Sequence, residues 1–238
     1  SGISHHPYSV RFPPETVPFG GGRISAKDQA CVADDQHSVL SVYSMTRDHM
    51  RTKLGRDLKV YVTEYGFPSY DSHRRGGWFA GYSEHAQAAY SIRSLVMALW
   101  AGVESPCLYD LMNDGTDPFD AETNLGLVRH EDEGLKEKPV YFAVQRLMHL
   151  LPKGAVALPE APAVLKVESN PPSEDYFWQR SPAEPFLVID GPMALWFKWN
   201  EENFLTFIWK AGRLNQEEGP QYVDLFWPPG APDGLSSA

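Results

Sequence analysis

The stretch VYVTEYGFP, Val60 to Pro68, decides how this chain reads. An extended strand sends successive side chains to opposite faces, so Leu58, Val60, Val62 and Glu64 fall on one side and Lys59, Tyr61, Thr63 and Tyr65 on the other. By that alternation Glu64 is the polar end of an apolar row. A carboxylate there is costly unless other groups hydrogen-bond or pair with it, so its position implies a task. Gly66 and Pro68 stop the strand and leave Glu64 at the mouth of whatever the strand builds.

Upstream, Ile3 to Tyr8 reads as a short strand, followed by a Pro/Gly-rich loop from Phe12 to Gly22. Val39, Val42, Tyr43, Thr46, Met50 and Leu54 then recur at helical spacing, with Asp34 and Asp35 as N-terminal charge and Gly55 as the stop. Downstream, Ser83 is an N-cap for a helix whose apolar stripe is Ala88, Ile92, Leu95, Val96 and Leu99, closed by Gly102. Pro106 to Leu111 is a third strand, trailed by the acidic loop Asn113 to Asn124. Pro139 sits in the first turn of a third helix with the stripe Val140, Val144, Leu147, Met148 and Leu151. Three consecutive strand-helix units predict a parallel sheet buried on both faces.

After Pro152 the texture changes to short β-rich runs such as VLKV, MALWFKW and FLTFIW, with Asp190-Gly191 and Asn200 to Asn203 reading as hairpin connections. The division expected is residues 1–152 as an α/β unit and 153–238 as a small antiparallel β domain.

Bulk properties narrow the function classes. The 238 residues are 42% hydrophobic, 22% charged and 13% aromatic. That is a globular composition whose aromatic share suits a thick core or sugar stacking. A formal net charge of -10 and a pI near 5.2 argue against nucleic acid, because no basic stripe neutralises phosphates. Arg74-Arg75 and Lys136 with Lys138 are short basic clusters that read as solvated surface. The longest apolar run, Leu95 to Val103, is far too short to span a bilayer. The chain opens at Ser1 rather than Met, so its start carries no targeting information. Cys31 and Cys107 allow either one disulfide or two free thiols, which leaves the redox compartment open.

On the first strand Ser4, His6 and Tyr8 share a face and His5 points the other way. Two adjacent strand histidines do not converge on one metal, so His5-His6 gives no metal site. A lone strand histidine is ordinarily a structural hydrogen-bonder, and here His6 and Tyr8 are placed to orient a carboxylate on the neighbouring strand.

Taken in order, these segments resemble a known family. SHHPYSVRFPPETV, Ser4 to Val17, resembles the sixth-strand region of clan A glycoside hydrolases, and VTEYGFP resembles their seventh strand with its glutamate nucleophile. LYDLMNDGTDPFDAETNLGLV, Leu108 to Val128, resembles the eighth strand and its loop, and KPVYFAVQRL, Lys138 to Leu147, the last barrel helix. Glycoside hydrolase family 39 and its relatives are the nearest likeness.

The resemblance implies the last three βα units of a (β/α)8 TIM barrel followed by a β-sandwich-like domain. It implies a retaining glycosidase with Glu64 as nucleophile, His6 and Tyr8 as its hydrogen-bonding neighbours, and Tyr109 as a lumen residue near the sugar. Asp110, Asn113 and Trp78 become candidate substrate contacts, with Phe79 beside Trp78 as a stacking or loop-packing ring. The partner is an oligo- or polysaccharide, and no cofactor or metal is called for. The acidic residues Asp110, Asn113, Asp114, Asp117, Asp120 and Glu122 lack EF-hand spacing, so they read as solvated loop or sugar-hydroxyl contacts rather than a calcium site. The resemblance is compatible with an extracellular or periplasmic setting.

Retaining hydrolysis needs a second carboxyl, which the family takes from an Asn-Glu pair on its fourth strand. The likeness here begins at the sixth, so the acid/base is expected in a missing N-terminal half of the barrel. The single Asn-Glu of the sequence, Asn200-Glu201, sits in a predicted hairpin turn and is not taken as that group. Two other readings stand beside this one. In one the chain is a non-catalytic carbohydrate-binding or structural remnant of a glycosidase barrel. In the other Glu64 is a structural carboxylate paired with Arg23 or Arg93.

Overall fold

The computed structural model describes residues 1–9, 13–14, 39–71, 79, 81–158, 164–167, 177–181, 184–187, 191–200, 203–211 and 223–226. Trp78, Cys31, Arg23, Glu201, Asp34-Asp35 and Arg74-Arg75 lie outside them, and so do the sequence expectations that rest on those residues.

Three parallel strands, β1 (Gly2–His5), β2 (Lys59–Tyr65) and β3 (Ser105–Leu108), pair in the order β1-β2-β3. Helix α1 (Val39–Leu54) lies between β1 and β2, α2 (Glu84–Trp100) connects β2 to β3, and α3 (Pro139–Leu150) follows β3. Parallel neighbours require such crossovers, because a tight turn returns the chain antiparallel.

The helix ends follow local chemistry. The Ser83 hydroxyl accepts the Ala86 N–H at 3.1 Å and so satisfies one of the orphan donors of α2. Gly55 ends α1 at φ 61°, a left-handed conformation that costs glycine little, and donates its N–H to Arg51 O at 3.1 Å. Pro139 takes the first position of α3, where its missing N–H loses nothing.

The core lies between the sheet and the helices. Val60 and Val62 are fully buried against a cluster containing Tyr43 and Met50 of α1 and Tyr90, Val96 and Met97 of α2. Each such valine contributes on the order of 1.5–3 kcal/mol through the apolar surface it removes from water.

Several expectations shift. β1 ends at His5 rather than Tyr8, where the Tyr8 N–H donates to His6 O at 3.0 Å in a tight turn. β3 ends at Leu108 rather than Leu111. Leu54 and Met148 were expected in apolar stripes but face solvent, at 54% and 70% exposure. Helical spacing places a residue on a face, but the neighbouring elements decide how wide the covered part of that face is.

Beyond α3 the strands are β4 (Val156–Leu158), β5 (Val164–Val167), β6 (Phe177–Ser181), β7 (Glu184–Leu187), β8 (Gly191–Lys198), β9 (Phe204–Ala211) and β10 (Val223–Phe226). They pair antiparallel as β4-β8-β9, β5-β10 and β6-β7. The expected hairpin at Asn200 to Asn203 joins β8 and β9, and the Asn203 N–H donates to Asn200 Oδ1 at 2.8 Å across the turn. Asp190 of the expected Asp190-Gly191 hairpin lies outside the described residues, and among those described β7 pairs with β6 while β8 pairs with β4 and β9. Leu195 and Phe197 of β8 enter the same apolar cluster as α2, and Trp100 Nε1 donates to Trp196 O at 3.1 Å. The whole is a mixed α/β structure with parallel and antiparallel sheets. Among the described residues no helix is long and apolar enough to cross a membrane.

Candidate active site

Glu64 stands at the C-terminal end of the central strand, and its surroundings correct the face assigned to it from alternation. Between β2 and β3 the register runs Val62↔Pro106 and then Tyr65↔Leu108, so three steps on β2 oppose two on β3. That is the count of a β-bulge, in which one extra residue breaks the alternation. The consequence is that Tyr65, not Glu64, continues the buried row of Val60 and Val62. Thr63 and Glu64, adjacent in sequence, both turn to the open face and meet the same histidine.

The bulge depends on a close approach. Gly66 passes so near β3 that a Cβ there would sit 2.1 Å from the Tyr109 carbonyl oxygen. Only glycine permits this contact. The Tyr109 N–H donates to Tyr65 O at 2.7 Å just beside it, which locks the ends of the two strands together.

On the open face the Tyr8 hydroxyl donates to Glu64 Oε1 at 2.8 Å. His6 Nδ1 lies 3.6 Å from Glu64 Oε2, within ion-pair distance but beyond a hydrogen bond, while His6 Nε2 is 3.1 Å from Thr63 Oγ1. The Glu64 side chain keeps 36% of its exposure. Its charged partners do not include Arg93, which stacks over the Tyr90 ring in the core. Burial, then the hydrogen bond and charge of Glu64, hold the Tyr8 phenol far above its ordinary pKa. Tyr8 is therefore held as a protonated donor to Glu64.

His5 faces the opposite side, with its ring edge-on to Tyr43 at 5.6 Å, as the strand alternation predicts. Desolvation first, and the neighbouring His6 charge second, lower its pKa.

The remaining candidate residues separate into two groups. Tyr109, half-buried just after β3, has its hydroxyl 3.3 Å from Asp114 Oδ2, and the charge of Asp114 is the first cause of its raised pKa, with Glu64 contributing. Asp110 turns its carboxylate to the Leu111 N–H. Asn113 is 3% exposed, donating Nδ2 to Asn124 Oδ1 at 3.2 Å and accepting the Gly126 N–H on Oδ1 at 3.0 Å, and it borders a polar cavity between the loops that follow β2 and β3. Asp117 and Asp120 likewise accept the Phe119 and Glu122 N–H groups, so these carboxylates build turns. Phe79 packs edge-on to the Tyr8 ring at 5.6 Å, and the Tyr70 hydroxyl holds its carbonyl at 2.6 Å. The ring supports Tyr8 from the side.

No family model matches this chain. No curated protein matches it. Among solved structures, a family 39 glycoside hydrolase from the gut symbiont Bacteroides cellulosilyticus is similar over 95% of this chain and 42% of its own, at 18% identity and a TM-score of 0.46. A GH39 enzyme from Xanthomonas axonopodis pv. citri is similar over 82% of this chain and 38% of its own, at 15% identity and a TM-score of 0.40. A β-glucuronidase from Faecalibacterium prausnitzii matches over 63% of this chain and 22% of its own, at 14% identity and a TM-score of 0.34. These structural neighbours are glycoside hydrolases, and the chain spans less than half the length of each.

Three features of the site escape sequence reading. Thr63 keeps the open face that alternation gives it, and the register shift brings Glu64 round to join it. Glu122 was one acid among several, yet its charge joins that of Glu64 in raising the Tyr8 pKa, which puts it near the same rim. Lys138 read as solvated surface but is 1% exposed, its ammonium donating to Ser69 Oγ at 3.1 Å and Asn124 O at 3.3 Å. Desolvation lowers its pKa to about 8. It borders a polar cavity of about 430 Å³ between the loops that follow β2 and β3, lined also by Ser69, Tyr82, Glu84, Asn124 and Arg129.

Proposed function

We propose that this chain supplies the nucleophile side of a retaining glycoside hydrolase acting on an oligo- or polysaccharide. The observation that carries the reading is the Glu64 carboxylate at a strand end, half-exposed and oriented by Tyr8 at 2.8 Å and His6 at 3.6 Å. A nucleophilic carboxylate must stay ionised, reach the substrate, and keep one oxygen aimed. Glu64 accepts on Oε1 from a phenol that does not ionise, and Oε2 faces the imidazole.

In the first step a Glu64 oxygen forms a bond to the anomeric carbon while the glycosidic C–O bond breaks and the leaving oxygen takes a proton from a second carboxyl. In the second, water activated by that same carboxyl displaces Glu64 and regenerates it. The second carboxyl belongs about 5–5.5 Å from the nucleophile in a retaining enzyme. The assignment places it in further βα units of a (β/α)8 barrel, of which residues 1–152 form the last three, with 153–238 as a β-rich companion domain. Two features support that arrangement: β1 and β3 each pair only with β2 among the described residues, and an unpaired strand edge is the place where another strand adds. Tyr109 and Asp110, at the end of β3, stand where a bound sugar would contact them.

Glu64→Gln in the complete enzyme is the test. Turnover falls by orders of magnitude and a fluorinated glycosyl substrate no longer labels the peptide containing residue 64. Near-normal turnover, or a label on another carboxylate, removes Glu64 from the role.

A further inference from the structure

The two nitrogens of His6 are addressed by two adjacent residues of β2. Nδ1 faces Glu64 Oε2 at 3.6 Å, and Nε2 lies 3.1 Å from Thr63 Oγ1. Thr63 Oγ1 in turn lies 2.5 Å from Ser4 Oγ. In a regular strand residues 63 and 64 point to opposite faces, so one imidazole does not meet both. The three-against-two register between β2 and β3 makes the arrangement available.

We propose that Thr63, set in turn by Ser4, is a positioning residue that holds neutral His6 in the tautomer with its proton on Nδ1, directed at Glu64. The direction of the chain follows from donor and acceptor chemistry. An ionised carboxylate only accepts, so the nitrogen that faces Glu64 carries the proton. The other nitrogen of a neutral imidazole then only accepts, which makes the Thr63 hydroxyl the donor to Nε2. With its proton so committed, Thr63 Oγ1 accepts from the Ser4 hydroxyl. Every group in the row from Ser4 to Glu64 has one role, and reversing any one of them sets two acceptors or two donors face to face.

The consequence concerns Glu64. Tyr8 donates to Oε1 and His6 is aimed at Oε2, so the two oxygens have separate anchors and the carboxylate plane is set from both sides. The 3.6 Å separation at Nδ1 is of the kind that tightens once substrate is bound. The catalytic meaning of the inference rests on Glu64 being the nucleophile, whereas the tautomer itself does not.

The test is nitrogen NMR of the imidazole groups in the 238-residue chain, at a pH where His6 is neutral, with its signals assigned by their loss in His6→Gln. Wild type shows His6 predominantly as the Nδ1–H form, the reverse of a free side chain in water. Thr63→Val, which keeps the shape and removes the hydroxyl, shifts the tautomer ratio toward Nε2–H by about 3- to 10-fold, the equivalent of one neutral hydrogen bond. Thr63→Ser restores the wild-type ratio, and Ser4→Ala shifts it part of the way. A wild-type His6 with the proton mainly on Nε2, or a ratio unmoved by Thr63→Val, overturns the inference. Loss of fluorinated-glycoside labelling at Glu64 with the tautomer as described would instead count against the nucleophile assignment alone.

Discussion

Glu64, at the end of β2, and Lys138, at the start of α3, are the two ionisable groups this structure handles most deliberately, and in opposite ways. Glu64 keeps about a third of its exposure and is surrounded by groups that move or hold protons, a phenol, an imidazole and the hydroxyl of Thr63 behind it. Lys138 is closed off from solvent and held by a hydroxyl and a backbone carbonyl, with no carboxylate among the described residues at ion-pair distance. A charge intended for chemistry needs access and partners that tune it. A buried charge held only by neutral acceptors pays desolvation to cross-link the loops after β2 and β3, and its lowered pKa records that cost.

The contrast breaks first at Glu64. With Glu64 as the proposed nucleophile, replacing it by Gln lowers kcat/KM by ~10³-fold or more, the scale of a lost catalytic group, while the urea midpoint moves little because the site is open to water. If stability falls as much as activity, Glu64 belongs with Lys138 as a structural charge. Lys138→Ala has the converse signature, a loss of ~2–4 kcal/mol in urea unfolding from the missing stem and the lost hydrogen bonds to Ser69 Oγ and Asn124 O. Lys138→Met restores part of it by refilling the volume.

Tyr8→Phe sharpens the comparison on the Glu64 side. Removing a hydrogen bond to an ionised group costs ~1.5–3 kcal/mol, read as a roughly 10- to 100-fold fall in kcat with less change in KM. The smallest effect is in the pH dependence of stability. Lys138 binds its proton less tightly in the folded state, with a pKa of about 8 against an ordinary 10.5. The unfolded chain therefore holds more protons in that window, and stability rises with pH between the two values, by about 1 kcal/mol from pH 8 to pH 9. Lys138→Met removes this slope, and a slope that survives the substitution assigns it to another group.

Much of the fold was legible in the chain. Ser83, Gly55, Gly102 and Pro139 mark helix ends through rules that involve only a few neighbouring residues, and all four act where they were read. The order of three strand-helix units follows from hydrophobic period and length. The opposite facing of His5 and His6 also held, His5 meeting Tyr43 in the core and His6 meeting Thr63 and Glu64 on the open face. Met148 and Leu54 misread because an apolar residue at helical spacing is covered only where another element reaches it. Lys138 misread as surface because a polar residue in a loop carries no local sign of what will enclose it.

The sequence by itself determined that a carboxylate closes the strand Lys59–Tyr65 and that Gly66 ends it, since propensity and steric limits act within a few residues. Only the tertiary structure decided which face that carboxylate takes. The face depends on counting residues in β2 against residues in β3, beyond α2 in the chain, and on the contact at Gly66 that lets the two strands meet out of step. A period of two describes one strand alone, and the extra residue of a bulge exists only relative to its neighbour.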